Sequence, residues 1–114
     1  EILLRARRFL AYGPEVSYLD DPNVIGWTRM GDLSHPNSGF AVVLTNGKGG
    51  EKEMSLSALA GGETFVDCLG NVKEEVVISK DGLGIFSCLD GSVSVWVNKK
   101  NLPRLKVLPE EEGE

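Results

Sequence analysis

The chain has 114 residues, 41% hydrophobic and 25% charged, which is enough apolar content for one globular domain with a core and leaves little room for a second. Its net charge of -5 argues against a nucleic-acid surface, because phosphate binding needs a basic stripe and the basic cluster here is limited to Arg5, Arg7 and Arg8. No apolar run approaches the roughly 20 residues that cross a bilayer as a helix, so neither nucleic acid nor membrane is an expected partner.

Residues 1–13 read as one amphipathic α-helix. Ile2, Leu3, Ala6, Phe9 and Leu10 recur at helical spacing, the three arginines fill the gaps, and Gly13-Pro14 ends the pattern. Such a helix needs a partner for its apolar face. The chain begins without Met, so Glu1 is expected to be a cut edge, with the helix's natural partner lying upstream.

After the helix the hydrophobic period changes to two, and turn signals arrive about every ten residues. Strands are predicted over 24–30, 40–45, 51–57, 64–68, 75–79, 84–88 and 92–97. Phe40, Val42 and Leu44 should share one face, Met54 and Leu56 should point inward, and Val93, Val95 and Val97 should lie opposite Ser92, Ser94 and Trp96. Asn46-Gly47, Gly49-Gly50, Gly61-Gly62, Gly70-Asn71, Asp81-Gly82 and Asp90-Gly91 supply the turn chemistry between them. The predicted fold is therefore all-β, an antiparallel sandwich over 14–98 preceded by one helix. Residues 99–114 decay through Pro103 and Pro109 into an acidic tail, Glu110, Glu111, Glu112 and Glu114, expected to be solvated.

Catalytic constellations are absent from the pattern. A nucleophilic triad needs a base, and the single histidine, His35, sits in the turn-like Ser34-His35-Pro36-Asn37. Cys68 and Cys88 have no histidine neighbours at zinc spacing, and are expected to be buried thiols at strand ends rather than a bridge. The run Asn46 to Gly50 leads into Glu51-Lys52-Glu53 and another strand, so it reads as a hairpin turn and not as a phosphate loop. Asp20-Asp21 before Pro22-Asn23 reads as an Asx-type turn, although oxygen-rich loops of this kind can hold a hard cation when further ligands converge. Asp67 stands inside a predicted strand, where a carboxylate must face water or be paired. Trp27, Trp96, Tyr12 and Tyr18 are the remaining candidates for a site, since aromatic faces stack on sugars as well as on core neighbours.

Taken together, the residues resemble a known family. Arg8, Ala11-Tyr12-Gly13, Tyr18, Asp20, Gly26-Trp27-Thr28-Arg29, Gly31-Asp32, Asn37-Ser38-Gly39, Asn46 to Gly50, Gly61-Gly62, Thr64, Asp67, Gly70-Asn71, Gly82 and Gly91-Ser92-Val93-Ser94-Val95-Trp96-Val97 resemble the junction and carboxy-terminal domain of bacterial liquefying-type α-amylases. The resemblance runs from about Leu3 to Val97.

It implies that residues 1–13 are the last helix of a (β/α)₈ barrel and that the strands form domain C, a Greek-key β-sandwich packed on that barrel. The family cleaves α-1,4-glucans such as starch and glycogen with a carboxylate nucleophile and a carboxyl acid/base at the carboxyl ends of barrel strands. No position here matches those catalytic motifs, so no catalytic residue is expected in this chain. The expected role is a scaffold, with the barrel seated on an apolar face around Tyr12, Tyr18 and Trp27. Two alternatives are a glucan-binding module using an exposed Trp96 and an adhesion-like protein-recognition domain. Some family members bind calcium between barrel and domain C. By resemblance Pro22 and Asn23 replace a His-Asp pair and Asn46 replaces an Asp, so no metal is expected in this domain, and calcium would belong to the parent's barrel. The compartment stays open, since family members are mostly secreted and relatives also occur inside cells.

Overall fold

The structure is a computed structural model that describes residues 13, 15–19, 23–32, 34 and 38–101. The predicted helix over 1–13 lies, but for Gly13, outside the described residues, and so do Tyr12, Asp20, Asp21, Pro22, His35 and the acidic tail beyond Asn101.

Eight strands are described: β1 (Glu15–Tyr18), β2 (Val24–Arg29), β3 (Phe40–Thr45), β4 (Gly50–Ser55), β5 (Thr64–Asp67), β6 (Val76–Val77), β7 (Leu83–Cys88) and β8 (Val93–Asn98). Short 3₁₀ turns occupy Ala58–Ala60 and Lys99–Asn101. Every pairing is antiparallel, in a six-stranded sheet ordered β1-β2-β3-β8-β5-β6 and a two-stranded sheet β4-β7. The last strand returns between β3 and β5, which is the long connection of a Greek-key arrangement.

The two-stranded sheet covers one face of the large sheet. Val24, Ala41, Val43, Met54, Leu56, Phe65, Ile78, Phe86 and Trp96 meet there as the inner core. A second cluster, Phe40, Val42, Cys68, Val95 and Val97 with half-buried Trp27, Val66, Leu69 and Val93, lies on the opposite, outer face. Because β3 and β8 carry apolar side chains on both faces, they read in the sequence as near-continuous hydrophobic runs.

Two expectations are corrected. The stretch Glu15–Tyr18 forms a strand that the periodicity did not mark; it has only four residues, and just Val16 and Tyr18 are half-buried. The turn after β3 is not a hairpin, because β3 pairs with β2 and β8 while β4 pairs with β7. Asn46 to Gly49 therefore carries the chain from one sheet to the other, with the Gly91 N–H donating to the Gly47 carbonyl at 2.6 Å across the neighbouring crossover.

Candidate functional site

Trp96 is fully buried, so it cannot be the exposed stacking face that a glucan platform requires. Its position follows from the register: Ala41 and Asp67 flank it across β3 and β5, and its ring tilts at 54° against Phe86 with centroids 5.6 Å apart. The indole N–H donates to Ser94 Oγ at 2.7 Å, and Ser94 Oγ donates to the Ser87 carbonyl at 2.6 Å. This relay satisfies a buried indole and ties the large sheet to β7.

Tyr18 and Trp27 do not form one patch. Tyr18 pairs with Gly26 across β1 and β2, so it shares that residue's face, packs on the inner core and accepts the Ser55 N–H at 2.9 Å through its hydroxyl. Trp27 is one residue further along, and the period of two sends it to the outer face. The outer face thus holds the buried cluster of Phe40, Val42, Val95 and Val97, with half-buried Trp27 packed against it.

The chain meets this face at Gly13. Arg29, two residues beyond Trp27 on the same side of β2, donates its Nε–H to the Gly13 carbonyl at 3.0 Å. Gly13, Gly31 and Gly39 are stacked in left-handed conformations, with φ of 81°, 79° and 96°. A Cβ on Gly31 would lie 2.6 Å from the Ser38 carbonyl oxygen, and one on Gly39 would lie 2.7 Å from that of Arg29. Only glycine fits this close backbone approach.

Asp67 has an unusual set of partners. Its Oδ1 accepts the N–H groups of Leu69 (3.1 Å) and Val95 (3.0 Å), and its Oδ2 accepts those of Asn71 (2.9 Å) and Val72 (3.0 Å). Four backbone donors saturate the buried carboxylate, which resolves the demand that the sequence placed on it. The residue closes the turn after β5 and pins it to β8. It leaves no lone pair aimed at a ligand.

A cluster of charged groups lies at the surface beside an open groove. Glu63 holds an ion pair with Lys100 at 2.9 Å and accepts from Asn98 at 3.1 Å; the Lys100 bond, with help from Asn98, keeps the Glu63 carboxyl below the usual range. These residues, with Gly62, Thr64 and Lys99, line an open groove that contains no aromatic side chain. Burial pushes the Cys88 thiol up. Cys68 belongs to the outer cluster and Cys88 to the inner, so the two thiols are reduced and separated by the sheet.

Among the described residues, no group of three or more His, Cys, Asp and Glu side chains converges on a common point.

The comparisons with known proteins bear on this architecture. No family model matches the chain. It is 47% identical over 97 residues, 85% of its length, to a glucan 1,4-alpha-maltohexaosidase of Bacillus sp. (strain 707). It is 44% identical over 99 residues to an alpha-amylase of Bacillus licheniformis and 42% identical over 97 residues to a cytoplasmic alpha-amylase of Escherichia coli (strain K12). The chain belongs with the α-amylases, as their carboxy-terminal β-domain. It spans only 19% of the length of each of these relatives. Among solved structures, an alpha-amylase from Malbranchea cinnamomea matches 89% of the chain and 20% of its own length, with a TM-score of 0.53 at 18% identity; that likeness shows the fold. The α-amylase domain described here is all-β and carries no catalytic constellation among its described residues.

Proposed function

We propose that this domain packs on and stabilises the catalytic barrel of an α-amylase-type parent, which hydrolyses α-1,4-glucosidic bonds in starch or glycogen, and that it is itself non-catalytic. The observation that carries the reading is the outer face. There half-buried Trp27, Val66, Leu69 and Val93 pack against the buried cluster of Phe40, Val42, Val95 and Val97, on the side of the sheet away from the second layer. The chain joins the domain on that same side, where Arg29 holds Gly13. In this reading residues 1–13 are the last barrel helix, and the barrel seats against Trp27 and its neighbours; Tyr12 would join them, whereas Tyr18 serves the inner core. Calcium, where the parent uses it, belongs to the barrel.

The domain's relatives support an amylase parent over an adhesion-like module, and the burial of Trp96 removes the aromatic platform on which a glucan-binding module would rest. The coding sequence immediately before Glu1 provides the test. A barrel with an aspartate nucleophile and a glutamate acid on successive strands supports the proposal, and a start codon at that point overturns it. The parent protein should then hydrolyse starch and lose thermal stability on Trp27→Asp, while the 114-residue chain alone should leave starch intact.

A further inference from the structure

We propose that Asn46 is a site of spontaneous backbone modification, deamidating through a succinimide to aspartate and isoaspartate in the folded domain. Asn46, Gly47 and Lys48 are exposed in the bend that carries the chain from β3 to β4. The reaction needs the Gly47 amide nitrogen to reach the Asn46 side-chain carbonyl carbon, and both groups are uncommitted. Neither the Gly47 N–H nor the Asn46 amide makes a hydrogen bond among the described residues; the neighbouring contact, from Gly91 N–H, goes to the Gly47 carbonyl. Gly47 also has open space where a Cβ would stand, so no side chain hinders the attack.

The chemistry balances with water alone. A base, hydroxide in the simplest case, removes the Gly47 amide proton, and the nitrogen forms a bond to Asn46 Cγ. The tetrahedral intermediate expels ammonia and leaves a five-membered imide. Water then adds to one of the two imide carbonyls and breaks its bond to nitrogen, giving aspartate or isoaspartate. Either product adds a carboxylate to the loop. Isoaspartate also inserts a methylene into the main chain next to the carbonyl that Gly91 holds.

Asn71 supplies the internal contrast. It too is exposed, so exposure does not separate the two residues. Its side-chain amide donates to Val93 O at 2.9 Å and Ser92 Oγ at 3.3 Å, and its nucleophile, the Val72 N–H, is given to Asp67 Oδ2 at 3.0 Å. A branched side chain follows it as well. Asn98 is buried and bonded to Glu63.

The experiment is incubation of the folded chain at mildly alkaline pH, followed by peptide mapping and isoaspartate detection with a protein isoaspartyl methyltransferase. The expected result is isoaspartate and aspartate accumulating first at Asn46, with several-fold slower conversion in Gly47→Ala. That variant fits its open position, so folding does not confound it. Asn71 should convert appreciably only in denaturant. Conversion at Asn46 no faster than at Asn71 in the folded chain would overturn the proposal. So would conversion at Asn46 that appears only after denaturation.

Discussion

The carboxylate of Asp67 accepts the backbone N–H of Val95, 28 positions away, at 3.0 Å, and so replaces a strand-to-strand amide bond where β5 ends. The same side chain collects three more N–H groups from its own turn. Charge-assisted bonds of this kind are each worth about 1.5–3 kcal/mol net, and a buried donor left without an acceptor costs about 1–3 kcal/mol. Asp67→Asn keeps the shape but turns an NH₂ toward two N–H donors. The expected loss is about 2–4 kcal/mol in chemical denaturation, with an unchanged slope of free energy against denaturant. A loss below about 0.5 kcal/mol would mean that the turn holds without the charge.

Ser94 is the acceptor that lets Trp96 sit in the core. In Ser94→Ala the buried indole N–H loses its acceptor and the half-buried Ser87 carbonyl loses this donor, at an expected cost of about 1–3 kcal/mol. Ser94→Thr restores a hydroxyl and should recover part of it. Tryptophan fluorescence offers the second readout: maltooligosaccharides should leave the emission of buried Trp96 unquenched in the wild-type chain.

These two sites mark how far the sequence is legible. Seven strands follow from alternation bounded by glycine turns, because Val93, Val95 and Val97 against Ser94 and Trp96 is a pattern that only a strand can use. Which face meets water does not follow, because β8 is covered on both sides, and a Ser-x-Trp face can be read as a surface or as a core. Asp67 was legible as a problem without its solution, since all four of its partners are backbone groups that no residue type announces. Strand β1 escaped for a similar reason: its four residues bury little, and Tyr18 is held by a hydroxyl bond to the β4 backbone. The separation of Tyr18 from Trp27 needed the register of β1 on β2, which composition does not carry.

The glycine stack beneath Arg29 predicts a sharp contrast between two substitutions. Gly31→Ala forces a non-glycine residue to φ near 79° and pushes its Cβ into the Ser38 carbonyl, so a loss of at least about 1–3 kcal/mol is expected. Gly47→Ala meets open space and should stay within about 0.5 kcal/mol of wild type. Thermal denaturation of the two variants side by side checks this, and equal losses would mean that the tight approach at Gly31 relaxes freely.

Cys68 and Cys88, on opposite sides of the sheet, should both react slowly with a thiol reagent in the native chain and rapidly in denaturant. Cys88 also predicts a pH dependence. Burial raises its folded pKa, so its contribution is fully present below the unfolded thiol's pKa, roughly 8.5, and is lost as pH rises through the folded value. Cys88→Ala should flatten the fall in stability on the alkaline side, at the cost of a small cavity.

Glu63 gives the opposite sign at the acid end. Its folded pKa is lowered, first by the Lys100 bond and then by Asn98, so its contribution is present above the unfolded carboxylate value and disappears as pH falls through the lower folded one. The pair sits at the rim with Lys100 largely exposed, so the contribution is at most about 1 kcal/mol and should shrink further in high salt. Glu63→Gln should remove that part of the acid dependence while keeping an acceptor for Asn98. Denaturant midpoints measured from neutral pH down through the carboxylate range, at low and high salt, provide the check. If the variant and wild type trace parallel curves at low salt, the Glu63–Lys100 pair contributes nothing to the acid dependence of the fold.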